Sequence, residues 1–113
     1  MAPLSDLQEE ITPQRARELH EGGSIQLVDV REPQEWDAGR IAGAVHVPLA
    51  ELSDRVGELD RDRAVVFYCL SGARSGMATQ AFRASGFDAH NMTGGIAAWD
   101  AAGLPLDGVV ASH

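Results

Sequence analysis

Ala64-Val65-Val66-Phe67-Tyr68, followed at once by Cys69-Leu70-Ser71-Gly72-Ala73-Arg74-Ser75, decides the fold. The first five residues are the most apolar run of the chain. They are of strand length and lack polar alternation, which predicts a strand covered on both faces. From Arg74 to Ser85 the apolar period becomes helical, with Met77, Ala78, Ala81 and Phe82 on one side and Gly86 at the end. A buried strand, a tight loop and a helix make the repeating unit of an α/β layer fold with a parallel sheet.

Working outward, the same alternation recurs. On the N-terminal side, Thr12-Pro13 opens a helix, because threonine caps free N–H groups and proline at the first helical position loses only a donor that had no partner. Ala16 and Leu19 give that helix an apolar side, and Gly22-Gly23 stops it. Ile25 to Val30 is short and β-branched and reads as a strand. Pro33 to Asp37 predicts a short helix closed by Gly39, and Ala44 to Val47 a second strand cut off by Pro48. Leu49, Leu52, Val56 and Leu59 predict an amphipathic helix with one buried stripe. On the C-terminal side, Ala89 to Met92 predicts a short strand and Ile96 to Ala102 a last helix, closed by Gly103 and Pro105. The expected architecture is one α/β domain over residues 12–107, a central, mostly parallel sheet with helices on both faces. A lead-in over 1–11 and a frayed tail over 108–113 complete it.

Length and charge narrow the function. A chain of 113 residues holds one core. Nine arginines, no lysine and 17 acidic residues give a net charge of -8, which disfavours nucleic acid and anionic membrane as partners. It also repels small anions, so an anion site has to be built locally. No apolar run approaches the roughly 20 residues of a membrane span, and Met1 to Glu10 lack the pattern of a signal peptide. With a single cysteine, a reducing cytoplasm is the expected compartment.

The chemistry lies in the loop. Cys69 stands at the carboxyl end of the buried strand, where ligands of such sheets bind. Ser71, Gly72 and Ala73 are small enough for the backbone to curl and aim several N–H groups inward. Such a nest, added to a helix start, stabilises the Cys69 thiolate and makes it nucleophilic. Arg74 adds a fixed positive charge suited to oxyanions. The plain alternative is an inert core cysteine beside an ordinary glycine-containing turn.

The loop resembles the C-x-x-G-x-R pattern of rhodanese active sites. Two more blocks resemble that family in order and spacing. One is Asp29-Val30-Arg31-Glu32 through Glu35-Trp36 and on from Gly39-Arg40-Ile41 to Pro48. The other is Gly94-Gly95-Ile96-Ala97-Ala98-Trp99 with Gly103-Leu104-Pro105. Together they cover roughly residues 12 to 106. Arg40 stands where the family has histidine, a place suited to packing or to anion binding. The resemblance implies a sulfurtransferase with Cys69 as nucleophile, loaded as a persulfide by thiosulfate or a similar donor and unloaded by cyanide, a thiol or a protein acceptor. It implies no metal or organic cofactor. Leu70, Ser71, Gly72, Ala73, Arg74 and Ser75 would hold the transferred sulfur and the donor.

Arg31 is open to two roles: meeting the donor at the pocket rim, or joining Asp29 and Glu35 in a structural ion cluster. Asp29 and Glu35 are expected as supports. His20, His46, His90 and His113 lack metal-ligand spacing and are expected at the surface or in packing. Trp36 and Trp99 are expected as core anchors. Three rival functions stay open. A cysteine-based phosphatase or arsenate reductase resembles C-x5-R, whereas only four residues separate Cys69 from Arg74 here, a tighter nest suited to a single sulfur. A non-catalytic binding module and a dedicated persulfide carrier are the other two.

Overall fold

The structure is a computed structural model and describes residues 7–110. Five strands form one sheet in the order β1-β6-β5-β2-β4, with every neighbouring pair parallel. They are β1 (Glu10–Ile11), β2 (Ile25–Asp29), β4 (Val45–His46), β5 (Ala64–Tyr68) and β6 (Ala89–Met92). Strand β5 lies at the centre and is buried along its whole length, as its unbroken apolar sequence requires.

Side chains alternate across β5 and divide the core in two. Ala64, Val66 and Tyr68 face helices α1 (Pro13–Glu21) and α4 (Gly95–Ala101), packing with Ala16, Leu19, Ile96 and Trp99. Val65, Phe67 and Cys69 face α3 (Ala73–Ala84), packing with Ala78, Phe82 and Ala89. Phe67 and Phe82 meet edge to face at 4.9 Å, a favoured aromatic geometry. Cys69 therefore continues the strand's alternation onto the face that α3 covers.

Helix α1 starts as its sequence dictates, with Thr12 accepting the Arg15 amide at 3.1 Å and Pro13 in the first turn. Helix α2 (Pro33–Ala38) is held by a reciprocal capping box between Glu32 and Glu35.

Several expectations are corrected. The lead-in contains β1, which pairs with β6 and makes the sheet one strand wider. Residues 49–59 form no α-helix but two short 3-10 turns, Leu49–Glu51 and Val56–Glu58. Leu49 to Leu52 and Val56 to Leu59 are steps of three, the period of a 3-10 turn. Ser53, Asp54 and Gly57 between and within them oppose a longer helix. Met77 is 63% exposed; the buried side of α3 is Ser75, Ala78, Thr79 and Phe82.

The tail is docked rather than frayed as far as it is described. Strand β7 (Asp107–Gly108) pairs antiparallel with β3 (Gly39–Arg40), and Val110 is buried. Trp99 is a core anchor, but Trp36 is only half-buried. It stacks on His46 at 4.8 Å and carries the Arg40 guanidinium 5.3 Å from its ring centre. His90 is buried against Asp88, His20 and His46 each bond a backbone carbonyl, and His113 lies outside the described residues.

Candidate active site

The chain leaves β5 at Tyr68, turns through Cys69 to Gly72, and enters α3 at Ala73. Gly72 makes the turn possible: it caps α3 with φ 106°, a backbone state that side-chain-bearing residues rarely adopt. The turn bends the loop back over Cys69 Sγ. The Gly72 amide donates to Sγ at 3.1 Å, the Ser75 amide at 3.5 Å and the Ser75 hydroxyl at 3.3 Å. Burial alone would push the Cys69 thiol up. Donation from the Ser75 hydroxyl, then from the amides of Ser75, Gly72 and Ser71, outweighs it and holds the thiol below its ordinary value. The net result is a buried sulfur whose ionised form the loop favours more than solvent would.

Ser75 is itself fixed. It is fully buried in the first turn of α3, and its carbonyl accepts the Thr79 hydroxyl at 2.8 Å. Thr79 was not singled out from sequence; two polar residues four apart on the buried face of a helix were the available signal.

The other side of the loop rests on α4. Ile96 and Ala97 amides donate to the Cys69 and Leu70 carbonyls at 2.8 and 3.0 Å. Gly95 lies so close that a Cβ there would collide with both carbonyls, and its φ is 63°. Gly94-Gly95 thus does more than open a helix: it lets α4 touch the loop.

Arg74 stands at the loop's outer edge and pairs with Glu35 through two bonds, at 2.8 and 3.1 Å. Donation from Arg74 holds the Glu35 carboxyl below the usual range, against the opposing effect of burial. The pair raises Arg74 in turn, and the nearby Cys69 sulfur adds to that.

Arg31 takes the structural role of the two open to it. It is 2% exposed, grips fully buried Asp29 through Nε and Nη2, and donates to the Gly39 carbonyl at 2.7 Å. Glu35 hydrogen-bonds Arg74, and the Arg31 guanidinium reaches it only through its charge, which also helps to hold the Glu35 carboxyl down. Of the expected site residues, Cys69, Leu70, Ser71, Gly72, Ala73, Arg74 and Ser75 are together in one turn, with Glu35 joined to it. Ser71 and Ala73 are exposed and Leu70 is half-buried.

This arrangement defines an α/β domain with a loop-held cysteine at the carboxyl edge of a parallel sheet. The chain belongs to the rhodanese-like domain family, whose model matches residues 12–102. It is 35% identical over 97 residues to thiosulfate sulfurtransferase GlpE of Pseudomonas aeruginosa, covering 85% of this chain and 87% of that one. It is 40% identical over 107 residues to the HTH-type transcriptional regulator Rv0324 of Mycobacterium tuberculosis. There the match covers 92% of this chain but only 47% of the regulator, so this chain spans about half of that relative's length. Among solved structures, a rhodanese-related protein from Thermoplasma volcanium superposes with a TM-score of 0.82 at 29% identity, over 88% of this chain and 98% of the other. No helix among the described residues is long and apolar enough to cross a membrane.

Proposed function

We propose that this protein is a sulfurtransferase that carries sulfane sulfur on Cys69. The observation that carries the proposal is the convergence of the Gly72 and Ser75 amides and the Ser75 hydroxyl on Cys69 Sγ. Donors that stabilise the Cys69 thiolate make it both the attacking nucleophile in loading and a good leaving group when the persulfide is unloaded. The size and identity of the GlpE relative support thiosulfate as a donor.

In the first half-reaction the Cys69 thiolate attacks the outer sulfur of thiosulfate. A bond forms between Sγ and that sulfur, the bond to the sulfonate sulfur breaks, and its electron pair leaves with sulfite. In the second, cyanide or a thiolate attacks the terminal sulfur. The persulfide bond breaks and its electron pair returns to Cys69 as thiolate. Arg74 meets the anionic donor, offsetting the repulsion of the net charge of -8. A protein acceptor fits the exposed Ser71 and Ala73 at the loop's outer edge. The acidic surface makes nucleic acid and anionic membrane poor partners, and a lone free thiol suits a reducing cytoplasm.

Steady-state kinetics with thiosulfate and cyanide test this reading. Two-step covalent transfer predicts parallel double-reciprocal lines as thiocyanate is released. Intersecting lines, or no thiocyanate above the uncatalysed rate, contradict it.

A further inference from the structure

Asn91 on β6 is buried, 5% exposed, between His90 and Met92 of the same strand. Its side-chain amide nitrogen donates to the Gly72 carbonyl at 3.2 Å and to the Glu10 carboxylate at 3.1 and 3.2 Å. Its own carbonyl oxygen is buried without a hydrogen-bond partner. A buried acceptor left unpaired is destabilising, so the residue's presence calls for a reason beyond packing.

Glu10 supplies the second half. From edge strand β1 its carboxylate accepts from Asn91 and also from the Thr93 hydroxyl at 2.9 Å. Asn91 and Thr93 flank Met92, and Thr93 leads into Gly94-Gly95, which touches the Cys69 and Leu70 carbonyls. One carboxylate therefore steadies both grips on the loop.

We propose that Asn91, held by Glu10, is a positioning residue for the Cys69 nest. Gly72 has no side chain to restrain its two flanking peptide planes. Its carbonyl is fixed by the Gly76 amide at 2.9 Å and by Asn91, and this sets the turn that aims its N–H at Sγ. Without Asn91 the glycine gains freedom and the Gly72 donor swings off the sulfur. The consequence for turnover rests on the sulfur-transfer reading; the effect on the thiolate does not.

The test is the pH profile of Cys69 alkylation by iodoacetamide in the full chain, which reports the thiolate directly. Asn91→Leu keeps the shape and removes the donor. Its alkylation near neutral pH falls about three- to tenfold and recovers at alkaline pH, where the thiol ionises unaided. Glu10→Ala gives a smaller fall in the same direction. Glu9→Ala is the matched control: Glu9 pairs with Arg83 at 3.4 Å and with Gln80, both on α3, and its side chain makes no bond to the loop. It leaves the profile unchanged. A profile for folded Asn91→Leu that superimposes on wild type overturns the proposal, as do equal shifts in Glu9→Ala and Glu10→Ala. If Asn91→Leu does not fold, the two glutamate variants decide. Sulfur loading of wild type from thiosulfate, measured alongside, separates the two failures: an unloaded protein with shifted variants refutes sulfur transfer and leaves the positioning role standing.

Discussion

Arg74 and Glu35 lie 39 residues apart in sequence and meet through two hydrogen bonds of 2.8 and 3.1 Å. The pair ties α2 to the mouth of the Cys69 loop and gives the loop's cation an internal anion to hold. On the proposed function, an incoming oxyanion would compete with Glu35 for that guanidinium.

Arg74→Ala is expected to raise the KM for thiosulfate about tenfold or more, with a smaller effect on the lifetime of the loaded persulfide. Arg74→Lys restores only part, since an ammonium lacks the planar fork. Donor-dependent kinetics on the three proteins check this, and unchanged KM in Arg74→Ala removes the role.

Glu35→Gln frees Arg74 and is expected to lower the KM for thiosulfate while leaving turnover with an uncharged donor less affected. The sign for pH follows from the depressed Glu35 carboxyl. The pair is intact at neutral pH and is lost only as pH falls through that lowered value. Wild type should therefore show no change in thiosulfate KM from this source near neutrality. A KM that rises in Glu35→Gln assigns the glutamate to donor binding instead.

Ser75→Ala removes the hydroxyl that donates to Sγ at 3.3 Å. The thiol rises towards its ordinary value, so alkylation and sulfur loading near neutral pH fall about three- to tenfold and recover as pH rises. Thr79→Val should reproduce a fraction of this, because it acts only through the Ser75 carbonyl. Equal rates for Ser75→Ala and wild type at every pH would discard the hydroxyl as a contributor.

Gly95→Ala places a methyl against the Cys69 and Leu70 carbonyls at a φ of 63°. Either the loop or α4 must move. The variant is expected to lose about 1–3 kcal/mol of stability in chemical denaturation, the usual range for overpacking. Its remaining folded fraction should load sulfur slowly. Gly103→Ala, also at positive φ but with nothing within 4 Å, controls for backbone strain alone. The same loading defect in both would detach it from the loop contact.

Much of this was legible in the sequence because the central signal is local. The five apolar residues before Cys69 and the small residues after it place strand, cysteine and turn; that the cysteine is a nucleophile came from the resemblance of the wider sequence, not from this stretch alone. What escaped depends on long-range contact or on very short elements. Strands β1 and β7 are two residues each, too short for a period to show. The stripe of α3 misled because buried polar Ser75 and Thr79 occupy the face that Met77 seemed to claim. The partner of Arg74 could not be read from spacing. Topology alone brings Glu35 to it, and sends Arg31 inward to Asp29. Leu49, Leu52, Val56 and Leu59 step by three, four and three, which suits an α-helix, but the turn-favouring Ser53, Asp54 and Gly57 break it into two turns whose own steps are three.

The central claim is tested most directly on the intact protein, because Cys69 is its only cysteine and no other thiol can take the label. After incubation with thiosulfate, the mass should rise by that of one sulfur atom, and cyanide should remove it with release of thiocyanate. Cys69→Ser, nearly isosteric, should fold and gain nothing. A wild-type protein whose mass stays unchanged after exposure to thiosulfate and other sulfane donors would contradict the account and leave a non-catalytic binding module in its place.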